Sequence, residues 1–282
     1  MKTSFIAFLN QHGIACASDT DMTLYALSRQ EPIALAVNSY SPIPWDSIIN
    51  AYLRQGEIAK HEIFGDYARN FANYLSTVKV NHVWKNLTED DGKIIFLGFG
   101  TDDVFPSAVD MQVRLDEDGS KLVGDINIER AIDHKKETDF YTLSHFENTQ
   151  PLIYGISVAA RNKLIEKQTV LMDIFKQRIM DAIKGTKYEE DVQKRLSEYG
   201  STDTIANFFH QQTEDQLFRI NCALDSFNVE DLVKVAEDFV DAKVQLDHLK
   251  SGGKGELPHT KELAVITRTE GVVYIKHCLF GL

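Results

Sequence analysis

The sequence predicts an α+β chain built on antiparallel sheets, with helices segregated to their outer sides. Three observations lead there. Short apolar runs of strand length cluster towards both ends of the chain. The stretch from Pro151 to about Ala242 reads as almost wholly helical. Strands and helices come in blocks, without the strand–helix alternation of a parallel doubly wound sheet.

The opening block, MKTSFIAFLNQHGIACASD, gives a strand from Thr3 to Leu9 and a hairpin partner from Ile14 to Asp19, with Gly13 supplying the positive φ such a turn uses. Thr23 to Leu27 and Ile33 to Val37 add two short strands. Ser41-Pro42-Ile43-Pro44 breaks the pattern and leads into a helix, where Trp45, Ile48, Ile49, Tyr52 and Leu53 recur at helical spacing. A second helix is expected from about Gly65 to Val80, with Tyr67, Phe71, Tyr74 and Leu75 on one face. Strands return at Lys93 to Phe99, Ala108 to Leu115 and Lys121 to Ile128, the last two joined by the turn Asp116-Glu117-Asp118-Gly119. In the helical stretch, Leu152 to Ala182 carries an apolar stripe suited to a core or, as second choice, a subunit interface. Asn228 is the expected N-cap of the last helix, VEDLVKVAEDFVDAKVQL. Beyond the glycine-rich Ser251 to Gly255, strands at Glu262 to Arg268 and Gly271 to His277 close the chain. No Pro- or Ser-rich linker and no solenoid repeat interrupts it, so one domain is expected over 1–282.

Composition narrows the classes of function. With 282 residues, 43% of them hydrophobic, the chain has ample material for a core. A formal net charge of −12 argues against sequence-independent nucleic-acid binding, which needs a basic footprint. Cys16, Cys222 and Cys278 are far apart and form no paired motif, so a reducing, cytoplasmic setting is expected. The apolar run Phe5 to Leu9 is too short for a signal peptide, and no stretch approaches membrane-spanning length.

Motifs for familiar chemistry are weak. His145 near Glu147 is the nearest approach to a metal pair, and no metal or cofactor is expected. Gly98-Phe99-Gly100-Thr101 runs into Asp102-Asp103, which would repel a phosphate, and Ser251-Gly252-Gly253-Lys254 has no strand leading into it. Asp110, Asp116 and Asp125 are not brought together by any spacing, so a glycosidase-type carboxylate pair is not supported.

Taken together, the two ends of the chain are more informative. The head, Thr3-Ser4-Phe5-Ile6-Ala7-Phe8 followed by Gly13-Ile14-Ala15-Cys16-Ala17-Ser18-Asp19, resembles the opening of proteasome β-type subunits, including divergent bacterial proteasome-like proteins. The tail, Leu263-Ala264-Val265-Ile266-Thr267-Arg268-Thr269-Glu270-Gly271-Val272-Val273, is similar to that family's late hairpin. Ile33 to Val37, Gln150 to Gly155 and Val229 to Leu246 are similar to further parts of it in the right order. The resemblance implies a four-layer αββα N-terminal-nucleophile hydrolase sandwich, with residues 157–227 as a helical insertion.

It also implies a mechanism. The first residue of a mature chain attacks an amide carbonyl, its free α-amine serves as base, a lysine supports it, and an aspartate holds that lysine. Thr3 then matches the nucleophile and Asp19 the lysine-holding aspartate, while Asp247 matches a supporting aspartate. The sequence departs from this pattern at several points, among them the strand expected to offer an oxyanion glycine, which reads Val37-Asn38-Ser39-Tyr40. No lysine occurs between Asp19 and Ile33, and Met1-Lys2 precedes Thr3, whose nitrogen is then an amide and no base. The expectation is a catalytically degenerate subunit, a pseudoenzyme, of a homo-oligomeric ring or filament. The alternative is an active threonine peptidase or amidase that uses Thr3 on a peptide substrate after Met1-Lys2 is removed.

Overall fold

The computed structural model of the chain describes residues 5–19, 22–28, 31–55, 60–80, 87–132, 138–143, 158–198, 202–250, 252 and 262–276. It is α+β, with two antiparallel five-stranded sheets and six α-helices among these residues. The strands are β1 Phe5–Asn10, β2 Gly13–Ser18, β3 Met22–Ala26, β4 Ile33–Asn38, β5 Lys93–Gly98, β6 Ser107–Leu115, β7 Leu122–Ala131, β8 Thr138–Leu143, β9 Glu262–Thr267 and β10 Gly271–Lys276. The helices are α1 Trp45–Leu53, α2 Gly65–Leu75, α3 Val158–Ile183, α4 Glu189–Glu198, α5 Thr202–Ser226 and α6 Val229–Lys250. The chain divides into two compact units, Met1–His145 with Asn221–Leu282, and Phe146–Ile220.

In the first unit one sheet has the order β10-β9-β2-β1-β8 and the other β3-β4-β5-β6-β7. The register of the first hairpin sets Phe5 opposite Ser18 and Asn10 opposite Gly13. Gly13 adopts φ 152°, and a Cβ there would meet the Ile266 carbonyl oxygen at 2.6 Å. Glycine is therefore required both by the turn and by the close passage of β9.

Strand alternation sorts the apolar side chains. Phe5, Ala7 and Leu9 of β1 join Ile14, Cys16, Ala264 and Ile266 in a core shared with Leu24, Ala34, Ala36, Ile95 and Leu97 of the other sheet. The opposite face of β4 and β5, with Leu35, Val37, Ile94 and Phe96, packs against Trp45, Ile49, Tyr67 and Phe71 of α1 and α2. Leu232, Ala236 and Val240 of α6 are buried, and this helix lies against β2, β1 and β9, with the Phe239 ring edge-on to Phe8. Strands covered on both faces must be apolar throughout, and so β1, β2 and β5 read as continuous runs.

Two local expectations meet their structural reason here, and the structure adds a third contact of the same kind. Asn228 Oδ1 accepts the Asp231 N–H at 2.9 Å, so Asn228 caps α6. Asp116 accepts from Ser120 and Lys121 backbone N–H groups and closes the β6–β7 turn, with Gly119 at φ 65°. Asn10, fully buried in the first turn, donates to the carbonyls of Leu224 and Phe227 at 2.9 and 2.8 Å and so satisfies the end of α5.

Two expectations need correction. The second helix stops at Leu75 rather than Val80, because the Ser76 and Thr77 hydroxyls bond back to the Asn73 and Tyr74 carbonyls and end the helical ladder. The sequence reading also missed β8, which pairs with β1 at the edge of its sheet. Its sequence, TDFYTL, lacks the unbroken apolar run by which the covered strands are recognised.

Candidate functional site

Thr3, the residue matched to a nucleophile, lies outside the described residues. Asp19 follows β2 directly and is buried. Asp247 lies within α6, and its side chain is outside the description. Of the three sequence-predicted site residues, only Asp19 thus has a side chain whose setting is given. Phe5 pairs with Ser18, which places the start of β1 and the end of β2 at the same end of the sheet. The pair His145 and Glu147 also falls outside the described residues, and among those that are described no cluster of His, Cys, Asp or Glu could hold a metal.

The Asp19 end is rich in hydroxyls that the sequence reading did not single out. Thr23 in β3 and Ser39 just after β4 are drawn together by the pairing of Met22 with Asn38. Their hydroxyl oxygens lie 2.6 Å apart, a close mutual hydrogen bond. Ser18 Oγ donates to the Met22 carbonyl at 3.3 Å.

That last contact begins a polar clasp along β3. As the first strand of its sheet, β3 presents unpaired backbone groups on one side, and Met22, Leu24 and Ala26 are the alternate residues that carry them. Side chains from the other sheet meet these groups in turn. Glu262 of β9 accepts the Leu24 N–H at 2.6 Å. The Tyr274 hydroxyl of β10 donates to the Leu24 carbonyl at 3.0 Å and accepts the Ala26 N–H at 2.9 Å. On β3 itself, the Tyr25 hydroxyl donates to Asp46 of α1.

Burial dominates the electrostatics of this cluster. It raises Glu262 from its usual 4.5 to about 7, against the Leu24 N–H bond, which favours the carboxylate. Burial, reinforced by the nearby Glu262 charge, raises the Cys16 thiol to about 12 and so leaves it protonated and unreactive. The Tyr274 hydroxyl is likewise raised to about 12, mainly by burial. Tyr25 is raised as well, by burial first and then by its bond to Asp46. The signal that could have found the clasp is a glutamate and a tyrosine standing in otherwise apolar terminal strands, ELAVIT and GVVYIK.

The glycine-rich loop after β5 shows why it is no phosphate cradle. The Asp103 carboxylate accepts the N–H groups of Gly100 and Phe64 at 2.8 and 3.1 Å, so an anion of the chain itself already occupies these donors. Arg268 adds bonds to the carbonyls of Thr101 and Asp103 and ties the loop to the β9–β10 turn. Asp125 bonds Arg114, while Asp116 serves its turn, so these two carboxylates have separate structural duties. A hollow of about 440 Å³ beside α1 is lined by Asp46, Ser47, Asn50, Ala51, Arg54 and Gln55, all from one open helical face.

No family model matches the chain, and no curated protein matches it. Among solved structures, a selenomethionine-labelled Anbu (Gly-1) mutant from Hyphomicrobium sp. strain MC1 aligns with a TM-score of 0.32 and 16% sequence identity, over 58% of this chain and 74% of that one. A likeness of that size does not establish a common fold. The resemblance to proteasome β-type subunits drawn from the head and tail is corrected accordingly: what stands is an α+β chain with two antiparallel sheets, and membership of that family is not shown. The physical reason lies in where the matched pieces fall. They are the hairpins β1–β2 and β9–β10, in which burial demands small and β-branched residues and the turns demand Gly13 and Gly271. Hairpins under those demands come to look alike.

Proposed function

We propose that the chain is a non-catalytic subunit that assembles with copies of itself, in a reducing compartment of the cell. The observation that carries this reading is how the polar groups of the sandwich are used. At the Asp19 end, Thr23 and Ser39 bond each other and Ser18 bonds Met22, and beyond them Glu262 and Tyr274 hold the β3 edge. Groups committed in this way stabilise a joint between sheets, whereas hydrolysis needs a nucleophile and a base converging on an open site. Self-association is supported by the large apolar residues that α3 exposes.

A second reading is a threonine hydrolase acting through Thr3. It is favoured by the burial of Asp19, next to Ser18, at the end of the sheet where β1 begins. Intact-mass measurement and amide-hydrolysis assays on short fluorogenic peptides separate the two. A mass that retains Met1-Lys2, with no turnover, is expected. A chain that starts at Thr3 and releases product would overturn the non-catalytic reading. Sedimentation velocity tests the assembly, and a monomer at tens of micromolar would remove that part of it.

A further inference from the structure

Helix α3 is two-sided in an unusual sense. One side, with Ile165, Thr169, Met172 and Met180, is half-buried in the chain. The other exposes Leu164, Val170, Leu171, Ile174, Phe175 and Ile179, the Phe175 ring to 63%. Leu164, Gln168, Leu171, Phe175, Arg178 and Ala182 alternate by four and three residues and are all exposed, which is the spacing of a helix-pairing seam. The six large apolar residues together expose on the order of 500 Å² of apolar surface, as much as the largest patch on a typical monomer. Covering that area on two copies would bury on the order of 1,000 Å², the size at which specific contacts begin.

We infer that α3 pairs with α3 of a second copy, antiparallel about a two-fold axis near residue 173. The choice of direction follows from the charges. A two-fold pair is self-complementary, so each contact occurs twice. In the antiparallel register Leu171 packs on Phe175 of the partner subunit, Leu164 on Ala182 of the partner subunit, and Gln168 faces Arg178 of the partner subunit. Along one flank, Lys167 meets Asp181 of the partner subunit, and Ile174 meets Ile174 of the partner subunit on the axis. Lys167 and Asp181 are both exposed on the free chain. A parallel pair would instead set Arg178 against Arg178 of the partner subunit within the seam, like charges in direct opposition, and would leave Lys167 without its acidic partner. This inference rests on the self-assembling reading above and specifies its surface.

The test is sedimentation of the full chain with a charge swap. Lys167→Asp, which creates two like-charge contacts per pair, weakens the dimer at least about tenfold, and Lys167→Asp with Asp181→Lys restores it. Phe175→Lys abolishes it. With Cys222 and Cys278 replaced by Ser, Ile174→Cys forms a disulfide-linked dimer under mild oxidation, and Lys163→Cys, away from the axis, does not. Lys163, Lys167, Ile174, Phe175 and Asp181 are all exposed, so the substitutions on α3 keep the fold, which circular dichroism verifies. Assembly that is indifferent to Lys167→Asp and Phe175→Lys, with no cross-link at Cys in position 174, overturns the α3 pairing and leaves self-assembly standing. A monomer in every variant and in the parent chain overturns both.

Discussion

Phe96 and Phe175 are the same side chain in opposite settings. Phe96 stands in β5 with none of its surface exposed, its ring centroid 5.6 Å from that of Phe71. Phe175 stands on α3 with 63% of its surface in solvent. The first belongs to a unit in which central strands are covered on both faces and even edge-strand polar groups are met by side chains. The second belongs to a unit whose long helix turns large apolar residues outward. Burial within the chain accounts for the unbroken apolar runs of β1, β2 and β5, although residues such as Val104 and Leu249 of the same unit stay exposed. It leaves the row of exposed apolar residues along the one helix α3 unexplained, and that row points to a partner.

The largest expected effect breaks the first half of this comparison. Phe96→Ala removes a fully buried ring between β5 and α2 and is expected to destabilise the chain by about 3–5 kcal/mol in urea denaturation. A loss below about 1 kcal/mol would mean that the site is not packed as described.

The next concerns the clasp and pH. Glu262 is raised from 4.5 to about 7 in the folded chain, so between these values the folded state holds a proton that the unfolded state has released. The contribution of this group is then full below pH 4.5 and is lost as pH rises through 7, with an upper bound of roughly 3 kcal/mol. Glu262→Gln keeps an oxygen to accept the Leu24 N–H and cannot ionise. Its stability relative to the parent is expected to rise as pH goes from 5 to 8, as read from denaturation midpoints across that range. A difference that stays constant with pH would show that Glu262 titrates like an exposed carboxylate.

Tyr274→Phe removes one hydroxyl from two backbone partners, the Leu24 carbonyl and the Ala26 N–H. Leaving them unmet is expected to cost about 1–3 kcal/mol and to speed amide hydrogen exchange along β3 specifically. The smallest effect sharpens the contrast with Phe96. Phe175→Ala is expected to shift the stability of the dilute, unassociated chain by less than about 0.5 kcal/mol, since the ring has little to lose there. A core-sized loss would place Phe175 inside the chain rather than on its surface.

Much of the fold was legible because its causes are local or periodic. Gly13, Gly119 and Asn228 declared their turns and cap by their own chemistry, and FIAFLN, GIACAS and KIIFLG declared covered strands by unbroken apolarity. The edge strand β8 was not legible, since TDFYTL mixes polar and apolar residues without either template. Of the polar groups described at the Asp19 end, the sequence pointed to Asp19 alone and to none of the clasp residues. Thr23 and Ser39 are ordinary hydroxyl residues until β3 pairs with β4, and Glu262 is 238 positions from the N–H it satisfies. The head and tail motifs misled for a related reason: a hairpin's sequence reports its burial and its turn before it reports its ancestry.

By itself, then, the sequence determined the α+β class, the placing of most strands and the helical stretch from Val158 on, with its apolar stripe to Ala182, because each follows from side-chain periodicity and turn chemistry within a few residues, whereas 151–157 lie outside the described residues. Which face of that stripe is covered within the chain was decided only by tertiary structure, through the packing of α3 in its own unit. The same holds for the clasp. A buried carboxylate and a partly buried hydroxyl acquire their role from backbone groups far along the chain, and only the folded arrangement of two sheets brings donor and acceptor within hydrogen-bonding distance.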